Sequence, residues 1–493
     1  MYSLGIDIGS SSVKVSLMDI KSGDALASST NPSVEMPIEA LQSGWAEQSP
    51  EMWWEYVKEG VRKVGKDFDL NEVKSIGITY QMHGLVVVNK EGRPLRKSII
   101  WCDSRAVEIG AEALEALGND FCLEHLLNSP GNFTASKLAW VKRNEPELFD
   151  QIYKAMLPGD YIAYKLSGVM STTNSGLSEG ILWDFKEEKI AGFVADYYGI
   201  PLEMFADIKP SIGVQVFTSE SITEELGLHA GTPISYRAGD QPNNAFSLNV
   251  MEAGEIAATG GTSGVVYGII DTPKADPKSR VNPFIHVNHT AENPRYGVLL
   301  CINGTGIANA WVRRNFAPSI DYSALNDMAA GVEVGSGGVV MLPFGNGAER
   351  MLENRYTKSE FVGIDLNIHK LAHILRATQE GIAFSMRYGI DIMREMGLNA
   401  NIIRAGLANL FLSPLFRQTL STLCDVTIEL YNTDGALGAA RGAALGAGFY
   451  ADREEAFRSL KKLQSVTPIE EDKEALETAY TKWKEELQRQ LSK

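Results

Sequence analysis

Two turns rich in glycine, serine and threonine stand about half a chain apart, each between apolar runs. The first is Gly5-Ile6-Asp7-Ile8-Gly9-Ser10-Ser11-Ser12-Val13-Lys14 and the second is Ala258-Thr259-Gly260-Gly261-Thr262-Ser263-Gly264. Glycine lets the backbone approach a phosphate closely, successive N–H groups form an anion-binding concavity, and small hydroxyls add donors without bulk. Either turn alone is equally good punctuation between hairpin strands. As a pair, with Asp7 inside the first and Asp240 shortly before the second, they favour two domains holding the phosphates of one nucleotide between them. Phosphoryl transfer needs mainly alignment, charge neutralisation and a base within reach of the nucleophile, and a carboxylate such as that of Gly239-Asp240-Gln241 suffices. The competing role for Asp240 is a turn or helix cap, since Gly-Asp-Gln-Pro is also sound turn chemistry.

The elements that must position these residues read as alternating strands and helices. Leu4, Ile6 and Ile8 alternate with Gly5 and Asp7, so Asp7 leaves the face that the apolar residues share and is either exposed or placed for a purpose. Val73 to Thr79 reads as a strand and Leu85 to Val88 as another, which sets Gln81, Met82 and His83 at the break between them. Helices are expected near 107–117, 138–144 and 160–166, and a long core helix from about Ile368 to Met396, stopped by Gly397. Beyond Tyr450 the composition becomes charged, yet Leu476, Tyr480, Trp483, Leu487 and Leu491 keep a helical period and predict a docked amphipathic helix. The pattern is α/β, and a chain of 493 residues is too long for one core. The expected division is 1–250 for acceptor binding and the base, 251–450 for the nucleotide, and 451–493 as a helical extension.

The chain has 46 basic and 62 acidic residues and a net charge of −16, which argues against nucleic acid or an anionic membrane as partner. A polyanionic nucleotide must then be received by backbone N–H groups, a few placed cations and a divalent metal. Cys102, Cys122, Cys301 and Cys424 are far apart and form no CxxC pair, so neither a zinc site nor a disulfide framework is expected. No stretch reaches the ~20 apolar residues of a membrane span and the start shows no signal-peptide pattern, so the expected location is the cytoplasm.

The residues already quoted, together with Gln81-Met82-His83-Gly84, Trp101-Cys102-Asp103-Ser104-Arg105 and the segments Thr134 to Asn144 and Glu360 to Glu380, resemble the FGGY carbohydrate kinases. The resemblance runs from Asp7 to about Tyr450. It implies a two-domain actin-like, ribonuclease-H-like ATPase fold with the catalytic cleft between the domains, and ATP and Mg²⁺ as cofactors. It implies Asp240 as the base that takes the proton of the sugar hydroxyl, and Asp7, with Asp240, as metal-holding. Gly9, Ser10, Ser11, Ser12 and Gly260, Gly261, Thr262, Ser263 become phosphate contacts. Lys14 either touches the γ-phosphate or points outward. Within the family the similarity is greatest to the branch that phosphorylates the ketopentose D-xylulose, in which a Met-His pair such as Met82-His83 lines the sugar pocket. Gln81 and Gln241 join that pocket, Trp101 offers its ring to a sugar face, and Asp103 and Arg105 bind hydroxyls or each other. Asn243 and Asn244 stand behind the base.

The resemblance weakens in two places. Gln379 occupies a position where an apolar residue is usual, and the adenine-binding segment, usually a glycine run, here reads Ala405 to Gln418 and is longer. Gly406 and Asn409, with Gly306 and Asn309, are its expected nucleotide contacts, and Trp311 either borders the nucleotide or packs in the core. Leu407, Leu410, Phe411 and Leu412 predict an apolar wall for the base, with GTP or ITP replacing ATP at a modest penalty. A kinase for L-xylulose, ribulose or ribitol is the alternative within the class, and a catalytically silent sugar-binding regulatory protein the alternative outside it. An actin-like filament or chaperone ATPase would not need the 81–84 motif or the Asp240 loop. A homodimer is the assembly entertained.

Overall fold

The computed structural model describes residues 1–493. Its frame is two mixed sheets wired alike. The first has six strands in the order Ile212–Phe217, Pro233–Gly239, Val73–Tyr80, Tyr2–Ile8, Val13–Asp19, Ala25–Asn31. Tyr2–Ile8 makes a hairpin with Val13–Asp19 and runs parallel to Val73–Tyr80, which runs parallel to Pro233–Gly239. The second has seven strands in the order Asn282–Ile285, Tyr296–Ile302, Gly264–Ile270, Glu255–Gly260, Ile402–Gly406, Thr427–Tyr431, Lys462–Val466. Glu255–Gly260 repeats the wiring of Tyr2–Ile8: a hairpin with Gly264–Ile270 on one side and a parallel neighbour, Ile402–Gly406, on the other. The two phosphate-type turns are therefore the tips of equivalent hairpins.

The halves are not separate in sequence. The helix Gly435–Gly446, built from Gly, Ala, Leu and one Arg, lies on the first sheet although it follows the strands of the second. Its approach is close enough that a Cβ on Gly5 would stand 1.8 Å from the Ala436 carbonyl oxygen, and one on Gly77 would stand 2.0 Å from that of Ala439. Only glycine strands admit a helix at that distance. The long helix Leu371–Glu395 packs in the second core, as does the terminal helix Lys473–Leu491 through buried Leu476, Tyr480, Trp483 and Leu487. The tail also supplies the edge strand Lys462–Val466, which the polar Lys462, Gln464 and Ser465 conceal from a hydrophobic pattern. No helix is long and apolar enough to cross a membrane.

Candidate functional site

The register of the first sheet brings the acidic residues to one edge. Asp7 pairs with Thr79, Ile8 with Tyr80, and Tyr80 with Gly239, so Asp7, Gln81 and Asp240 all emerge at the carboxyl ends of three adjacent parallel strands. Ligands of open α/β sheets collect at such an edge. Burial, then Asp240 and Asp434, pushes the Asp7 carboxyl up to about 7 against the pull of Lys14. Burial likewise pushes Asp240 up to about 6, opposed by the N–H groups of Gln241. Asp7 thus feels Asp240 in a poorly solvated place. Lys14 lies in an ion pair of 2.6 Å with Asp434, which caps the Gly435–Gly446 helix through the Leu437 N–H. In this conformation Lys14 meets a carboxylate rather than pointing outward, at the edge of the first turn where the phosphate contact was expected.

This acid cluster fits a divalent cation, because its one cation is already paired and both aspartates are held in their charged form only with difficulty. No three His, Cys, Asp or Glu side chains converge as a metal cage. A Mg²⁺ ion here would take its remaining ligands from phosphate and water, as it prefers. Gly435 keeps the space open, since a Cβ there would lie 2.2 Å from Asp7 Oδ2.

The first turn is built to leave its amides free. Ser10 O accepts from Gln48 Nε2 (2.7 Å), Ser11 O from the Met36 N–H (2.8 Å) and Ser12 O from the Gly9 N–H (3.0 Å), while the N–H groups of Ser10, Ser11 and Ser12 donate to no protein acceptor. Gln81 stands behind this turn: it donates to Gln48 Oε1 at 3.1 Å, an oxygen that also accepts from Trp53 Nε1. Its Nε2 thus positions the turn, while its Oε1 is buried with no protein donor and stays available to the sugar hydroxyl expected of it.

Met82 is buried against Gly239, beside the base. His83 sits in the left-handed region (φ 61°), a strained conformation for a residue with a Cβ. Its Nδ1 lies 2.9 Å from the Glu179 carbonyl oxygen. That oxygen can only accept, so Nδ1 carries the proton and Nε2 is left as the acceptor. Burial and then Lys137 push the imidazole down to about 3, so it stays neutral. Its ring rests between Phe133 and Phe284, centroids 4.9 and 5.5 Å away. Lys137 itself donates to the carbonyls of His83 (2.7 Å) and Ile100 (3.1 Å). Trp101 is 52% exposed, with its indole nitrogen 3.5 Å from Ser10 Oγ.

Asp103 and Arg105 face each other. Asp103 accepts from the N–H groups of Ala46 (2.6 Å) and Arg105 (2.9 Å) and from the Arg105 guanidinium (2.7 Å), which also reaches Glu47 at 2.7 Å. Both side chains are essentially inaccessible, and Trp45 and Trp140 cover the guanidinium at 3.8 and 4.8 Å. Of the two expected alternatives, hydroxyls or each other, the structure shows the second: the pair anchors the Trp101 loop. Asn243 donates to the Gly435 carbonyl at 3.0 Å behind the base. Glu179 went unnoticed in the sequence: its carboxyl packs on the Gly239 turn, and burial, then Asp240, holds it far above the usual carboxylate range.

Across the cleft, the second turn repeats the construction. Gly261 O accepts from the Gly306 N–H (3.1 Å) and Thr262 O from that of Ile307 (3.0 Å), and the N–H groups of Gly261, Thr262 and Ser263 donate to no protein acceptor. A Cβ on Gly306 would stand 2.1 Å from Gly261 O. Beside the turn lies a cavity of about 480 Å³ lined by Gly260, Gly261, Thr262, Gly306, Asn309 and Asn409, all expected, and by Arg314, Tyr322, Asn326, Leu410, Leu412 and Ser413. Ser263 and Gly406 fall outside its lining. So do Leu407, on the surface, and Phe411, in the core, so the expected apolar wall is reduced to Leu410 and Leu412. Trp311, 47% exposed, lines a separate cavity of about 290 Å³ with Phe344 and Phe361. Glu349 was also missed. It accepts from the N–H groups of Asn303 and Gly304, both at 3.1 Å, and so holds the segment that leads into Gly306.

Two like-wired sheets, free amides at both hairpin tips and two poorly solvated aspartates at one sheet edge define a nucleotide-dependent phosphotransferase with an interdomain cleft. The chain belongs to the FGGY family of carbohydrate kinases: residues 2–247 match the family's N-terminal domain and residues 256–451 its C-terminal domain. It is 28% identical over 467 residues to the xylulose kinase of Bacillus subtilis (strain 168), covering 92% of this chain and 90% of that one. Its identity with the xylulose kinase of Lactococcus lactis is 30% over 407 residues, 80% of this chain and 77% of the other. The solved xylulose kinase of Rhodospirillum rubrum has the same fold, with a TM-score of 0.89, 22% identity and 98% of each chain covered.

Proposed function

We propose that this carbohydrate kinase transfers the γ-phosphoryl group of Mg-ATP to the ketopentose D-xylulose, giving D-xylulose 5-phosphate and ADP. The observation that carries the reading is the place of Asp240, between the Met82-His83 side of the cleft and Asp7 with its turn, and poised near neutrality. Asp240 accepts the proton of the attacking hydroxyl, the hydroxyl oxygen bonds to the γ-phosphorus, and the β–γ bridging oxygen leaves with ADP. His83 Nε2 accepts a hydrogen bond from another sugar hydroxyl, and the exposed ring of Trp101 covers a sugar face. The free amides of residues 10–12 and 261–263 hold phosphate oxygens from opposite sides. Asp7 and Asp240 hold Mg²⁺, which neutralises phosphate charge when bound.

The division at residues 250 and 450 belongs to the same reading, with the Gly435–Gly446 helix returning to the first sheet, as do a cytoplasmic location and a homodimer. A coupled ADP-release assay across D-xylulose, L-xylulose, D-ribulose, L-ribulose, ribitol and glycerol tests the assignment. D-Xylulose should give the highest kcat/KM. A higher value for another acceptor moves the assignment to that acceptor, and no ADP release with any of them removes it.

A further inference from the structure

One buried amide joins the first turn to the sugar side of the cleft, and partners that can act in only one way fix the direction of its hydrogen bonds. Gln48, on the short strand Glu47–Gln48, is 1% exposed. One end of its amide faces the carbonyl oxygens of Ser10 (2.7 Å) and Pro37 (3.3 Å), which only accept, so that end is the NH₂ group. The other end lies 3.1 Å from Trp53 Nε1, which only donates, so that end is the oxygen. Turning the amide around would set its oxygen against two carbonyls and its NH₂ against the indole N–H, so both ends demand the same orientation.

Each end then orients a neighbour. In a trans peptide the N–H points opposite to the carbonyl, so holding Ser10 O aims the Ser11 N–H away from Gln48, and that N–H is one of the three free amides of the turn. On the other side, the Gln81 side-chain atom 3.1 Å from Gln48 Oε1 must be the NH₂ nitrogen, because an oxygen there would face an oxygen. Gln81 Oε1 is thereby left over, buried and with no protein donor, a costly state until a donor reaches it. The main chain of Gln81 is held separately, through its N–H to Ile8 O at 2.8 Å, so Gln48 governs only the side chain.

We propose that Gln48 is a positioning residue shared by both substrates: its NH₂ group aims the Ser11 amide at a phosphate oxygen, and its oxygen sets the Gln81 side chain so that Gln81 Oε1 receives a sugar hydroxyl. This rests on the reading of the 10–12 turn as a phosphate site and of Gln81 as a sugar contact. Gln48 itself touches neither ligand. Its effect on the sugar runs only through Gln81, whereas its effect on the nucleotide runs through the turn, and this asymmetry gives a pattern that general damage to the fold does not produce.

The test is a double-mutant cycle read by calorimetric titration of the full chain, with D-xylulose alone and with a non-hydrolysable ATP analogue alone. Gln48→Met keeps the side-chain length and removes both sets of bonds, and should weaken each ligand by about fivefold or more. Gln81→Met should weaken D-xylulose by a similar factor and leave nucleotide affinity within about twofold. In the double variant the sugar loss should equal that of Gln81→Met alone, while the nucleotide loss of Gln48→Met persists in full. If Gln48→Met fails to fold, Gln48→Asn, one methylene shorter and unable to reach both sides, should give the same pattern. Sugar losses that simply add would overturn the proposal, because Gln48 would then act on the sugar by another route than Gln81. So would nucleotide affinity unchanged by the Gln48 substitution, or sugar affinity unchanged by either one. A wild-type protein that binds another acceptor in place of D-xylulose would remove the proposed acceptor alone, and the cycle is then read with that acceptor; turnover of D-xylulose with an additive cycle would remove this inference alone.

Discussion

The two hairpin turns share a construction and differ in charge. Each ties its carbonyls back into the protein and leaves three consecutive amides free, at residues 10–12 and 261–263. Around the first stand Asp7, Lys14, Asp240 and Asp434, and around the second the lining is glycine, hydroxyl, amide and apolar side chains such as Ile307, Leu410 and Leu412, with Arg314 as its one charged side chain. Backbone donors suffice to hold phosphate, so the shared part accounts for binding. Base chemistry and metal binding need carboxylates that change protonation or coordinate, so in the proposed reaction the unshared part is what turnover depends on. The strongest test of this division removes the carboxylate. Asp240→Asn should lower kcat by roughly 10²–10⁴-fold and leave titration of sugar and nucleotide close to wild type. Near-normal turnover would mean that the first turn, too, only holds.

The next test uses acidity. The base form of Asp240 is present above about pH 6, so kcat/KM should fall as pH drops through that value. The contribution of Asp7 to stability moves the other way. Asp7, with a folded pKa of about 7 against 3.8 for the free side chain, binds a proton in the folded protein that the unfolded chain has already released between those values. Through Asp7 folding is therefore favoured at the acid end of that window, whereas His83 and His286, each pushed down by burial to about 3, add stability as pH rises toward the ordinary histidine value. Burial pushes Glu349 up to about 7 as well, and Lys137, pushed down to about 7, acts with opposite sign only above it. The difference between variants isolates Asp7: at pH 7.5, Asp7→Asn should raise the Tm of the ligand-free protein and abolish Mg²⁺-dependent turnover. A lower Tm would show that the cluster is not repulsive.

How far the sequence led follows from the range of the signals. Asp7, Asp240 and both turns were legible because strand alternation and turn chemistry are local. The fate of Asp103 and Arg105 was not, since spacing by two residues cannot say whether two opposite charges face a ligand or each other, and the deciding partners, Trp45, Glu47 and Trp140, lie on other segments. Lys14 meets Asp434 across 420 residues. Asn326, Gln379 and Ser413 are ordinary polar residues until the fold joins them, and only the departure of Gln379 from an apolar pattern marked the place. The return of the Gly435–Gly446 helix to the first sheet left a trace in its run of small residues, but a tight approach needs glycine on both surfaces, and the strand glycines Gly5 and Gly77 are each unremarkable alone.

A smaller effect separates acceptor from nucleotide. His83 lies on the Asp240 side and contacts nothing that lines the nucleotide cavity, so His83→Ala should weaken pentulose binding by about 1–3 kcal/mol and change nucleotide affinity little. The same substitution does not relieve the left-handed backbone, because alanine retains the Cβ. Titration with each ligand alone checks this, and equal losses for both would indicate a damaged fold.

The smallest expected change concerns the distance between the two turns. Phosphate held from both sides and chemistry sheltered from water call for the halves to approach each other. The structure shows where they are already fastened: Asn128 Nδ2 donates to the Pro283 carbonyl at 2.8 Å, Asn282 Nδ2 to Asn128 Oδ1 at 2.7 Å, and the Ile285 N–H to Ser178 Oγ at 3.0 Å. With the edge strand Asn282–Ile285 clamped at that point and the Gly435–Gly446 helix seated on the first sheet, the expected closure is a rotation about these contacts. We expect a small decrease in radius of gyration by solution scattering with D-xylulose and a non-hydrolysable triphosphate together, and none with sugar alone. Asn128→Ala, which removes two of the three clamping bonds, should enlarge the difference by letting the ligand-free protein open further. An identical profile with and without saturating ligands in both proteins would mean that the turns already stand at their working distance, so that the carboxylates alone distinguish the catalytic side from the holding side.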